Sequence, residues 1–137
     1  ISRLCLGFVA IQACLAYIAT GMAKLRSCAW RNGSRLTAIF ESSRLRIPGL
    51  GRWFRNHPRI TLNLAWATIL LELLFPLALF CGPGVCLVFI TGGLLFHFSV
   101  AVTMGLHWFF WAFAATYPAL LFTSIWVGNS TMVQYQT

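Results

Sequence analysis

Four stretches of the chain are apolar for long enough to suggest membrane crossings, and a polar section separates the first from the other three. A spanning helix needs about 20 mostly apolar residues. Residues 4–23 meet that requirement with Gln12 as their one strongly polar position, and the charges begin at Lys24. Residues 24–60 are polar and basic. A second apolar stretch, 61–80, carries Glu72 near its middle and Pro76 one turn later. Cys81-Gly82-Pro83-Gly84 then predicts a tight turn, which makes the spans on either side of it antiparallel. From Val85 to Val127 there are 43 residues without a Lys, Arg, Asp or Glu. As one helix that run would be about 65 Å long, near twice the ~30 Å thickness of the hydrocarbon, so it has to fold back once. Gly105-Leu106-His107 is the predicted bend, giving spans 85–105 and 108–127, with a kink expected at Pro118. The polar tail 128–137 is expected outside the membrane. The pattern predicts an all-α fold, an integral membrane four-helix bundle with one basic interfacial loop, as a single membrane domain over residues 1–137. Residue 1 is Ile, so the chain is expected to be processed or to be part of a longer protein or complex.

Composition strengthens this picture. Hydrophobic residues make up 59% of the chain, the mean hydropathy is +0.79, and only 9% of residues are charged. A soluble domain carries about a quarter charged residues, so lipid must cover much of this surface. The net charge of +8 is concentrated, because nine of the ten Lys and Arg lie between Lys24 and Arg59. Nucleic-acid binding is not expected, since a basic segment beside apolar spans is the common juxtamembrane device that attracts anionic lipid headgroups. Within it, Ser34 to Leu45 predicts a short amphipathic helix with Leu36, Ile39, Phe40 and Leu45 on one side, Arg35 and Arg44 outward, and Pro48 ending it. The positive-inside rule assigns the 24–60 loop and the bend near 105 to the cytoplasm, and the N-terminus and the 81–84 turn to the opposite side. The five cysteines form no CxxC. Cys81 and Cys86 flank the turn closely enough to consider a disulfide, with reduced or lipid-facing thiols the favoured expectation.

Few residues in the spans carry chemistry. Lys24 ends the first span, where a snorkelling anchor is the ordinary role and a general base, or a partner for an intramembrane acid, the functional one. Glu72 costs at least about 2.5–3.5 kcal/mol at the bilayer centre unless it is protonated, paired or beside water. His97, about twelve residues after the turn, is either a hydrogen-bonded structural group or part of an interior site with Lys24 and Glu72. His107 is expected at the interface and His57 on the loop surface. Phe96-His97-Phe98 and His107-Trp108-Phe109-Phe110-Trp111 read as interface belts or as aromatic walls for a quinone-like ring, in which case Glu72, Phe96 and Trp108 would line the cofactor pocket. The sequence has no phosphate loop, dinucleotide fingerprint, HExxH or serine elbow, and no metal constellation.

The order of these residues resembles a known membrane family. Tyr17-Ile-Ala-Thr-Gly21-Met-Ala-Lys24-Leu25, then Trp30-x-x-Gly33 and Leu36, then Leu71-Glu72-Leu73, Phe96-His97 and Met104-Gly105-Leu106, resembles the membrane domain of the vitamin K-dependent gamma-glutamyl carboxylases and their bacterial HTTM relatives. It covers about residues 17–125. The smaller DoxX-type four-helix proteins share the Gly-x-x-Lys and helix-acid pattern and are the rival family. The resemblance implies that Lys24 would be a catalytic base acting with reduced vitamin K and oxygen, and that His97 would be the inward-facing histidine.

Two functions follow as expectations. The first is a non-catalytic subunit or scaffold of HTTM-like type beside other membrane protein subunits, favoured because nothing in the sequence supplies a complete active site. The second is a membrane enzyme with a lipid-accessible, quinone-like cofactor pocket that uses Lys24 as base. A channel is disfavoured by the scarcity of polar residues within the spans.

Overall fold

A computed structural model of the chain describes residues 2–42, 47 and 49–134, the last six by backbone alone. Among the described residues every regular element is helical. In chain order they are α1 (Ser2–Arg26), α2 (Cys28–Arg31), α3 (Ser34–Glu41), α4 (Leu50–Asn56), α5 (Pro58–Leu74), α6 (Leu77–Phe80), α7 (Pro83–Met104), α8 (His107–Ala114) and α9 (Tyr117–Gln134). Three helical stretches are long and apolar enough to cross a membrane: Ser2–Arg26, Pro83–Met104 and His107–Gly128.

Helix α1 extends past the expected 4–23 at both ends, because nothing in residues 2–26 interrupts a helix until Ser27 turns extended at φ −82°, ψ 118°. Its buried residues, Ala10, Ala13, Cys14, Tyr17 and Gly21, recur every three or four positions and so form one stripe. Leu4, Phe8, Ile11, Leu15 and Ile18 point outward.

The basic section is not an open loop. Gly33, at φ 78°, caps the start of α3 against α5, where an added Cβ would sit 3.3 Å from the Leu62 Cα. Helix α3 buries Leu36, half-buries Ile39 and Phe40 and exposes Arg35, as its pattern requires. It stops at Glu41, since Ser42 is extended, rather than reaching Leu45. Arg44, Leu45 and Pro48 lie outside the described residues. The hairpin of α3 and α4 closes on a Phe40–Phe54 ring stack at 4.0 Å, an Arg55–Glu41 ion pair at 3.0 Å, and Gly51 against the Phe40 carbonyl. The Thr61 hydroxyl donates to the Phe54 carbonyl at 3.0 Å and ties this hairpin to α5.

The expected single helix over 61–80 is broken. It begins earlier, with Pro58 in its first turn, and α5 is 17 residues long. Pro76 has no N–H for the carbonyl of Glu72, and its ring crowds that carbonyl, so the helix yields at Phe75–Pro76 and resumes as α6. Helix α7 starts with Pro83 in its first turn and ends at Gly105, whose left-handed φ of 73° produces the bend expected there. The run after it is likewise broken. Pro118 cannot serve the carbonyl of Ala114, and the Thr116 amide bonds instead to the Phe113 carbonyl at 2.9 Å. Beyond the break α9 continues to Gln134, so most of the polar tail is helical. The five cysteines are free thiols, Cys81 exposed and Cys86 buried, without the considered disulfide.

Helix α1 packs against α5 and α9, and α7 against α5, α6, α8 and α9. The core where they meet includes Ala10, Ala13, Tyr17, Phe75, Cys86, Ile90, Tyr117 and Leu120. Small residues on the buried stripe of α1, such as Ala10, Ala13 and Gly21, let α5 and α9 approach closely.

Candidate functional site

Two layers of paired polar side chains sit on the buried stripe of α1. Tyr17, Gly21 and Lys24 are spaced four and three residues apart and therefore share one face. Lys24 lies about 10 Å further along the helix than Tyr17.

In the first layer Lys24 meets Glu72. The Lys24 Nζ donates to Glu72 Oε1 and Oε2, at 2.7 Å each. The lysine side chain is 17% exposed and the glutamate 5%. Gly21 makes this approach possible, because a Cβ there would lie 3.0 Å from Leu73 Cδ2 and 3.1 Å from Glu72 Cβ. The Gly-x-x-Lys spacing thus has a physical reason: the glycine brings α5 close, and one turn later the lysine neutralises its acid. The Trp30 ring lies 5.2 Å from the ammonium and shields its outer side. A cleft of about 360 Å³ bounded by Thr20, Lys24, Trp30 and Arg35, among others, leads from outside to the lysine.

In the second layer the Tyr17 hydroxyl bridges two groups, His97 Nε2 at 2.8 Å and the Tyr117 hydroxyl at 2.7 Å. Tyr17 has one proton, so a proton it donates to one partner must be matched by a hydrogen bond accepted from the other. His97 and Tyr17 are each 2% exposed. Among the described residues His97 Nδ1 is buried without a hydrogen-bond partner. Gly93, one turn before His97, leaves space for the two hydroxyls: a Cβ there would contact the Tyr117 hydroxyl and lie 3.2 Å from that of Tyr17. Rings enclose the layer, with Phe75 stacked on Tyr17 at 3.8 Å and Phe113 stacked on His97 at 4.1 Å.

The structure therefore brings Lys24 to Glu72, and His97 to two tyrosines, with no hydrogen bond or ion pair joining the layers among the described residues. Phe96 is half-buried with its ring 5.0 Å from that of His97 and steeply inclined to it. Trp108 is 90% exposed and stands apart from both layers, because it lies on the outer side of α8 at the bend. His57 sits on the surface with Nδ1 2.8 Å from the Trp53 carbonyl, and His107 is exposed. Sequence reasoning passed over Tyr117, Phe75 and Phe113 as site residues and used Tyr17 only as part of a motif. The shared face of Tyr17, Gly21 and Lys24 was the available signal for Tyr17. Tyr117 lies 100 positions away, with no local pattern to mark it.

Comparison with models of protein families gives no match, and comparisons with curated proteins and with solved structures give none either.

Proposed function

We propose that this chain is an integral membrane subunit or scaffold of HTTM-like type within a larger membrane assembly, a four-helix bundle in which α5 and α6 together make the fourth crossing. The observation that carries this reading is the internal pairing of Lys24 with Glu72 and of Tyr17 with His97 and Tyr117. Glu72 has both oxygens on Lys24, and His97 is tied through Tyr17 to Tyr117 under stacked rings. Groups held this way brace helices against one another. Among the residues that suggested the HTTM resemblance, Gly21, Lys24, Trp30 and Glu72 lie where α1 meets α2 and α5, and Gly33 lies where the start of α3 meets α5. Residues 58–80 would make about 34 Å of helix, enough for the hydrocarbon. Their outer positions Ile60, Leu64, Leu70, Leu74 and Leu77 are exposed and apolar, as a lipid-facing stripe requires. The basic section then sits among anionic headgroups, on the cytoplasmic side by the positive-inside rule. Purification of the tagged chain in mild detergent tests the subunit role. Stoichiometric co-purification of other membrane chains is expected, whereas a lone chain carrying a stoichiometric quinone would overturn it.

One observation favours the enzymatic alternative. Lys24 is reachable through the cleft beside Trp30 while Glu72 is closed off behind it. As a base, Lys24 would first pass a proton from its ammonium to the Glu72 carboxylate, leaving a neutral amine facing the cleft and a quinone-like cofactor. Lys24→Ala would then abolish a quinone-dependent activity or spectral change in protein that still folds, and unchanged behaviour would remove the catalytic role.

A further inference from the structure

The outer face of α1 carries a polar group that the fold leaves unsatisfied. Gln12 is exposed and lies within about one helical turn of the midpoint between Arg3 and Lys24, so in a bilayer it is at hydrocarbon depth. Its amide has no hydrogen-bond partner among the described residues. An unpaired amide in hydrocarbon is costly, because lipid tails offer neither donor nor acceptor. Elsewhere on this helix the same problem is solved internally: the Thr20 hydroxyl bonds back to the carbonyls of Ala16 and Tyr17, each at 3.0 Å. Gln12 sits on the rim of a cleft of about 340 Å³ at the seam between α1 and the α8–α9 unit, beside Phe8, Ala13, Ala16, Ala112 and Thr116. The alanines there allow a neighbouring backbone to come close.

We infer that a second copy of this chain packs on this face, with the two α1 helices parallel about a two-fold axis along the membrane normal and the two Gln12 amides hydrogen-bonded to each other. A carboxamide carries both donors and acceptors, so it is its own complement. Two copies inserted in the same direction place identical residues at identical depth, and a two-fold axis through this face sets Gln12 opposite Gln12. A different partner would need a polar group of its own at that depth. The large exposed side chains nearby on α1, such as Leu4, Phe8, Ile11 and Leu15, are apolar and equally suited to lipid or to the rim of such an interface.

The inference rests on one part of the proposed function, that α1 spans a membrane, and not on the presence of other chains. Light scattering of the full chain in mild detergent and in lipid nanodiscs tests it, with Gln12→Leu and Gln12→Asn compared against wild type. The wild type is expected to dimerise. Gln12→Leu is expected to weaken the dimer about tenfold or more, and Gln12→Asn, which keeps a self-complementary amide, to retain most of it. Unchanged circular dichroism would show that the outward substitution leaves the fold intact. A monomeric wild type, or a Gln12→Leu dimer as tight as wild type, overturns the inference. A different membrane chain that co-purifies equally with wild type and Gln12→Leu keeps the assembly reading whatever the dimer result. A Gln12-dependent dimer that carries no other chain counts against the assembly reading and supports this one.

Discussion

Ionisable and polar side chains inside an apolar bundle are costly when alone and cheap when paired, and that difference separates a bracing role from a catalytic one. Lys24→Met would leave the Glu72 carboxylate, 5% exposed, without its counter-charge. The expected loss is about 3–5 kcal/mol of stability, and Lys24→Met combined with Glu72→Met should recover most of it, since removing both charges removes the problem. Thermal unfolding of the two single variants and the double in detergent checks this; additive losses in the double would mean that the pair does not brace α1 against α5. In the other layer, Tyr17→Phe keeps the ring stacked on Phe75 but strands His97 Nε2 and the Tyr117 hydroxyl. It should cost about 1–3 kcal/mol, and Tyr117→Phe less, because Tyr17 then still holds His97. Equal losses in the two variants would show that the bridge is not centred on Tyr17.

At the scale of elements, the close approaches depend on glycines, and their surroundings differ enough to predict opposite outcomes. A Cβ at Gly7 meets nothing within 4 Å, whereas one at Gly93 collides with Tyr117. Gly7→Ala should therefore be neutral or slightly stabilising through helix propensity, and Gly93→Ala should cost about 1–3 kcal/mol by forcing α7 away from α9. Melting temperatures of the two variants decide it, and a harmless Gly93→Ala would mean that the tyrosine layer can shift to make room. The same elements show what a sequence can disclose. The long apolar stretches and the bend at Gly105 were legible because lipid thickness sets a length and glycine marks a stop. The breaks at Phe75–Pro76 and Ala115–Thr116 were only partly legible: each proline was visible, but whether a helix bends or stops depends on what catches the freed carbonyls. The Lys24–Glu72 pair was half visible, as two groups each needing a partner. The tyrosine–histidine bridge was not, since it joins residues 80 and 100 positions apart and no local spacing encodes it.

For the whole molecule, native cysteines can count the crossings. Cys28 begins α2 on the basic side of α1, and Cys81 ends α6 just before the turn into α7; both thiols are exposed. Three helical stretches are apolar and long enough to cross, the third of them, His107–Gly128, as the broken pair of α8 and α9; α5 and α6 reach the required length only when joined across their own break. If that pair crosses, Cys28 and Cys81 lie on opposite faces of the membrane. If it lies along the interface instead, they lie on the same face, and the Lys24–Glu72 pair has to sit near a headgroup layer. Sealed vesicles treated with a membrane-impermeant maleimide, before and after permeabilisation, distinguish the two arrangements, with Cys28→Ser and Cys81→Ser identifying each labelled thiol. Cys5 is also exposed, so the experiment uses a Cys5→Ser background; the expected result is then one thiol labelled from outside and the other only after permeabilisation, with Cys28 on the cytoplasmic side in right-side-out vesicles. Labelling of both from one side would reduce the bundle to three crossings. It would also leave the apolar stripe from Ile60 to Leu77 to be covered by the interface or by another chain.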